Sequence, residues 1–300
     1  MHNIWLHRYT VVVAICTLLL VVAGGLVTSN DAGLSVPDWP LSYGKLMPKM
    51  EGGVIFEHGH RMVATTVGLL TIILAIWLSR ADGRRWMRRL GWIALAAVIA
   101  QGLLGGMTVI FMLPKPVSIS HACLAQLFFS TTVLIALFTS AEWRRERPIV
   151  EDSGSPSLHA LATAVPLVVL AQLALGAAAR HKALGVLPHV MGAAIVTGMI
   201  LWIVIRVLVR YAEHEPLRRS ALVLLAISIS QVFLGIAAYM SRIATLDAVQ
   251  PMAVMVGFTV AHVAVGALTM AASVVLAVEV YRHVRRPTAQ MAPRGVAVTS

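Results

Sequence analysis

The chain reads as an all-α integral membrane protein, with eight transmembrane helices arranged as two pseudo-symmetric four-helix bundles. Three observations predict this. Of the 300 residues, 58% are hydrophobic and only 12% are charged, with a mean hydropathy of +0.82. The sequence contains eight apolar runs that reach the roughly 20 residues a helical span requires. A small motif of glutamine, glycine and histidine also recurs from span to span.

The runs fall near 9–30, 62–79, 90–113, 117–141, 158–179, 183–205, 220–241 and 248–277. The first is expected to stay in the protein: it is long, lacks a clear small-residue cleavage site and continues into a patterned loop. Between the fourth and fifth runs lies the polar stretch 142–157, rich in Arg, Glu, Asp, Ser and Pro, which divides the chain into halves at 1–147 and 148–300.

The net charge of +11 follows the loops. Arg80, Arg84, Arg85, Arg88 and Arg89 follow the second span, Arg144, Arg145 and Arg147 the fourth, Arg206, Arg210, Arg218 and Arg219 the sixth, and Arg282, Arg285, Arg286 and Arg294 the eighth. The alternate loops carry only Lys45, Lys49, Arg61, Lys115, Arg180, Lys182 and Arg242. Cationic loops face the cytoplasm, so both termini are expected inside and the odd spans run outward. The charge is a topology signal and gives no reason to expect nucleic acid as a partner. Cys16 and Cys123 sit inside spans, without partners at metal-ligand spacing, and read as small apolar fillers.

Span three carries QGLLGG (Gln101 to Gly106), span five QLALG (Gln172 to Gly176) and span seven QVFLG (Gln231 to Gly235). Span one has LVVAGG, with Leu20 in place of Gln. Each is followed by a span whose outer end bears a histidine: His60, His121, His189 and His262. The glycines suit close helix packing or the face of a flat ring. A glutamine amide in lipid needs a partner. A single imidazole at a helix end is ordinarily bonded to loop backbone or water. Four at one depth, two per half, form the pattern that clamps two haem irons from both sides, in the core of a four-helix bundle. His58 is two residues from His60 and points to another helix face, so His60 is preferred as the ligand.

The halves differ in two respects. Only the first has a carboxylate one turn before its histidine, in EHGHR (Glu57 to Arg61); the second has LPHVMG (Leu187 to Gly192). Only the first has a long outer loop, 31–56, with the ordered-looking GLSVPDWPLSYGKLMP (Gly33 to Pro48). A lid and an acid over one site suggest that chemistry occurs there. The plain alternative for Glu57 is an exposed ion pair with Arg61, of little energetic value. Arg61, Lys115, Arg180, Lys182 and Arg242 are candidate partners for haem propionates.

The eight spans, the duplicated halves, the GLS…DWPLSYG loop, EHGHR and the later histidines together resemble the haem A synthase family, the membrane oxygenases that convert haem O to haem A for cytochrome oxidases. The resemblance implies that His60 and His121 bracket the substrate haem O, with Glu57 acting in the oxidation. It implies that His189 and His262 hold a permanent haem b as iron cofactor. Dioxygen and electrons from an external donor are implied too, with haem O synthase as a partner and the bacterial cytoplasmic (inner) membrane as the location. A homo-oligomer is compatible with it. Some relatives carry two loop cysteines seven residues apart; Ser35 and Ser42 stand there instead, so no thiol relay is expected.

A two-haem electron carrier is the main alternative, and it leaves the one-sided Glu57 and lid unexplained. A secondary transporter would more often place its polar residues near the bilayer midplane. A haem O prenyltransferase would need aspartate-rich motifs, whereas Asp31, Asp38, Asp82, Asp152 and Asp247 are scattered.

Overall fold

The computed structural model describes residues 3–285 and is almost wholly helical. His2, Arg286 and Arg294 lie outside the described residues. The helices are α1 (Ile4–Ser29), α2 (Gly53–Ala81), α3 (Arg85–Ile110), α4 (Lys115–Thr139), the single turn α5 (Ala141–Arg144), α6 (Leu158–Arg180), α7 (Leu187–Arg210), α8 (Glu215–Ala244) and α9 (Ala253–His283). Eight of them, all but α5, are long and apolar enough to cross a membrane. The protein is a multi-pass membrane protein.

Several helices outrun the hydropathy windows. The largest difference is at α2, which begins at Gly53, nine residues before the sequence-based start at 62. Backbone hydrogen bonding does not stop where side chains become polar, so the polar EHGHR segment continues the helix. This places Glu57 and Arg61 one turn apart on a single helix.

Within the first half, α1 packs on α2 and α4, and α3 packs on the same two helices. Within the second, α6 and α8 each pack on α7 and α9. Each half therefore closes into a ring of four. The halves meet through α1 and α4 against α9, and α4 against α6. Gly25 of α1 has Val260 of α9 beside it, a plain case of a small residue at a helix crossing. Large apolar side chains such as Leu69, Ile93, Phe233 and Trp202 face outward, as a lipid-facing surface requires. One buried cluster fills each bundle, around Leu74, Leu78, Phe128 and Ile135 in the first and Ile200, Ile203, Leu217 and Leu224 in the second.

The polar stretch between the halves is ordered by one carboxylate. A two-residue strand β1 (Val150–Glu151) pairs in parallel with β2 (Val284–Arg285) beyond α9. The next residue, Asp152, is buried and accepts from the backbone N–H groups of Gly154 and Leu158, from Tyr211 Oη at 2.9 Å and from Arg206 Nη2 at 2.8 Å. Burial alone would raise the Asp152 pKa, but the bonds from Leu158, Tyr211, Gly154 and Arg206 outweigh it and hold the carboxyl below its ordinary value. The Tyr211 hydroxyl is pushed up to about 12 by burial and by its bond to Asp152.

Asp152→Ala strands the Arg206 guanidinium and two N–H groups, and is expected to cost about 3 kcal/mol, read as a lower thermal unfolding temperature in detergent. A carboxyl with a lowered pKa stabilises the fold above its unfolded-state pKa and loses that contribution as pH falls through the folded one. The difference between wild type and variant should therefore be full at neutral pH and shrink in acid.

Candidate functional site

Each of the four histidines sits against a glycine of the preceding helix. A Cβ placed on Gly24 would lie 3.2 Å from the His60 ring, on Gly105 3.3 Å from His121, on Gly176 2.9 Å from His189 and on Gly235 2.9 Å from His262. The glycines leave room for the imidazoles, most tightly at His189 and His262. The histidine helices, α2 with α4 and α7 with α9, occupy diagonal corners of their rings, and the glycine helices fill the other corners.

In the second half the His189 and His262 rings are 6.2 Å apart between centres, at 89° to one another. Two imidazoles on opposite sides of one metal, each bonded at about 2 Å, have ring centres about 6 Å apart. The pair therefore fits a bis-histidine metal. His262 Nδ1 donates to the Gln231 backbone carbonyl at 3.2 Å, which leaves the lone pair on Nε2, 3.4 Å from the Gln231 amide nitrogen; His189 Nδ1 lies 3.0 Å from the Gln172 amide nitrogen.

The repeated glutamines find their partners here. Gln101 Nε2 donates to the His121 backbone carbonyl at 2.9 Å, and Gln172 Nε2 to that of His189 at 2.7 Å. Gln231 Nε2 lies 3.4 Å from the His262 ring. Gly192, one turn after His189, leaves the space that Gln172 occupies. The Q-x-x-x-G spacing carried this signal, but sequence alone did not say that both residues serve the histidine.

The long loop between α1 and α2, expected from sequence to be a lid, is ordered by its own hydrogen bonds. Asp38 accepts from the N–H groups of Tyr43 and Gly44, Tyr43 Oη donates to the Ser35 carbonyl, and Gly44 takes a φ of +69° that favours glycine. The bond from Gly44 first, and then that from Tyr43 with Arg61 nearby, hold the Asp38 carboxyl below its ordinary value although burial pulls the other way. Trp39 packs on α3 where Gly106 has no side chain; a Cβ there would come within 2.7 Å of the indole.

Glu57 is neither exposed nor idle. It is only 4% exposed, and its Oε2 accepts from the lid N–H of Val36 at 2.8 Å while Oε1 accepts from Arg61 Nη2 at 2.7 Å. Arg61 Nη1 donates to the lid carbonyls of Asp38 and Leu41, each at 2.8 Å. Ser42 Oγ and His58 Nδ1 are 2.8 Å apart. Glu57, His58 and Arg61 therefore all hold the lid, and His60, on the same helix, turns instead toward Gly24.

The remaining candidate cations are dispersed. Arg180 donates to Ser29 Oγ at 2.9 Å, joining α6 to the end of α1, while Lys115, Lys182 and Arg242 are exposed. Beside Arg180, His181 has its pKa lowered by burial first and by that guanidinium second. Cys16 and Cys123 are free thiols.

The fold and site define a class: multi-pass helical membrane proteins that carry a pair of histidines on the diagonal helices of each of two four-helix rings. Residues 7–189, more than half of the chain, match the COX15-CtaA family, described as cytochrome oxidase assembly protein, and the chain belongs to that family. It is 31% identical to a heme A synthase of Alkalihalophilus pseudofirmus over 142 residues, 46% of this chain and 48% of that protein. It is 30% identical to a heme A synthase of Lysinibacillus sphaericus over 139 residues, 45% of each. A heme A synthase of Symbiobacterium thermophilum is 29% identical over 248 residues, 73% of this chain and 80% of that protein. The chain thus spans about half the length of the first two relatives and most of the third.

Proposed function

We propose that this protein is an oxidoreductase of haem A biosynthesis, oxidising a peripheral methyl group of haem O to a formyl group. The observation that carries this reading is the contrast between two similar histidine pairs, of which only the first lies beside a buried carboxylate and a built lid. Two successive hydroxylations of the methyl give a geminal diol, and loss of water leaves the formyl group. Dioxygen and electrons from an external donor supply the oxidation.

Within this reading His60 and His121 bracket the substrate haem, and His189 and His262 hold haem b, which would supply one-electron chemistry when bound. The 6.2 Å ring separation supports the second assignment. The chain's own work is positioning and exclusion. The glycines seat the imidazoles, the lid keeps bulk water from the reacting methyl, and Glu57 is placed to hold a proton near it. Arg61 acts first on the lid, while Arg180 and Arg242 remain candidates for the propionates.

The arginine distribution supports cytoplasmic termini, haem sites near the outer face and location in the inner membrane. Haem O synthase and an electron donor are the partners this chemistry needs.

Pigment analysis tests the function. Protein purified from cells that also make haem O should yield haem b together with haem O or haem A, by pyridine haemochrome spectrum and chromatography. Haem b alone, with haem O supplied, would make it an electron carrier, and a colourless protein would remove haem from the account.

A further inference from the structure

At the end of α2 opposite the lid, an open cavity of about 310 Å3 lies between α2 and α3, lined by Ser79, Arg85, Arg88, Arg89 and Trp92. Its frame is fixed by two hydrogen bonds. Trp92 Nε1 donates to Ser79 Oγ at 2.9 Å, and Ser79 Oγ donates to the Ala75 carbonyl at 2.8 Å. Arg85, Arg88 and Arg89 stand at i, i+3 and i+4 on one face of α3, where like charges repel. The nearest acid in sequence, Asp82, is already used: it accepts from Arg84 Nε at 2.9 Å and from Arg84 Nη2 at 2.6 Å. Among the described residues none of the three lining arginines has a hydrogen-bond or ion-pair partner.

Other arginines at this end of the bundle are differently placed. Arg145 and Arg147 pair with Glu142, and Arg206 with Asp152. The second half has a cavity of about 290 Å3 lined in part by Arg206 and Arg210, but Asp152 already holds that Arg206. Three uncompensated guanidiniums around one cavity thus belong to the first half.

Away from these arginines the same surface is apolar. Ile76 and Ile72 stand three and seven residues before Ser79, and Ile99 seven residues after Trp92, all of them exposed. Trp86 and Trp92 are exposed as well, as indoles at a membrane boundary are. A ligand that suits both parts has an anionic head and apolar chains. Guanidiniums make charge-assisted, bidentate bonds to phosphate oxygens, and basic pockets between membrane helices take anionic lipid head groups. We propose that Arg85, Arg88 and Arg89 form a binding site for the phosphate of an anionic phospholipid, with its acyl chains along the isoleucines of α2 and α3. A free phosphate would engage the arginines alone. The site is independent of the haem assignments and stands or falls without them.

The test is titration of the purified, delipidated full-length protein with phosphatidylglycerol in mixed micelles, read by the rise in unfolding temperature. Each arginine near an anionic lipid surface strengthens binding by about fivefold, so the Arg85→Gln, Arg88→Gln, Arg89→Gln triple variant should bind about 100-fold more weakly. An Arg210→Gln, Arg218→Gln, Arg219→Gln triple variant loses the same charge at the same end of the bundle and should bind as wild type does. Equal weakening of both would mean diffuse attraction to the charge of this face and would overturn the site. Phosphatidylcholine binding as tightly as phosphatidylglycerol would overturn it too. Displacement of the lipid by millimolar inorganic phosphate would make this a site for free phosphate and overturn the lipid assignment. If the first triple variant does not accumulate, photoactivatable phosphatidylglycerol on the wild-type protein decides: label on residues 72–99 supports the site, and label confined to other segments overturns it.

Discussion

Membranes that contain the Glu57→Gln variant together with a source of haem O are expected to accumulate haem O and to lose haem A by about 100-fold, the scale of a general acid–base contribution. The substitution is less conservative here than its shape implies. Both carboxylate oxygens of Glu57 accept hydrogen bonds, one from Val36 N and one from Arg61 Nη2. An amide would point its NH2 at one of those donors, and it would leave the half-buried Arg61 without its counter-charge. The variant thus loses a negative charge, and with it a proton acceptor, and loosens the lid at once. Haem composition by chromatography measures the first effect, and trypsin cleavage after the lid residues Lys45 and Lys49 measures the second. Wild-type haem A from the variant would remove Glu57 from the chemistry. A freely cleaved lid with unchanged haem O content would assign the loss chiefly to positioning.

His262→Ala and His189→Ala are each expected to reduce retained low-spin haem b by at least about tenfold, since removing a ligand costs more than removing its hydrogen-bond partner. Optical and low-temperature spin-resonance spectra of the purified variants check this. The rings are held differently: His262 donates from Nδ1 to a carbonyl of α8, whereas His189 lies against the Gln172 side chain. Gln172→Leu should therefore weaken haem retention less than either histidine variant. Two single histidine variants with unchanged haem b spectra would mean that the second pair does not hold the cofactor.

How much of this was legible in the sequence varies by element. The eight spans were legible because apolar length is a property of a continuous stretch of chain. The start of α2 was not, since Glu57, His58 and Arg61 are polar and lower the hydropathy of a segment that is nevertheless helical. The motif spacing brought out Gln101, Gln172 and Gln231, together with the odd Leu20. Their contacts could not be read off, because a glutamine at a given depth can turn to lipid, to a neighbouring helix or to its own backbone.

What the sequence determined by itself was the alphabet of the site: four histidines at one depth, four glycines one helix earlier, three glutamines in register, and one carboxylate and one long loop on one side only. Those are patterns of composition and period, and they survive any rotation of the helices. The tertiary structure decided who meets whom. It turned the glycines toward imidazoles, brought His189 and His262 to 6.2 Å, spent Arg61 and Glu57 on the lid, and left His60 without a bond. The physical reason is that such contacts depend on the rotation and depth of each helix relative to its neighbours. Those are set by packing across the bundle, between residues as far apart in the chain as Gly24 and His60 or Gln231 and His262.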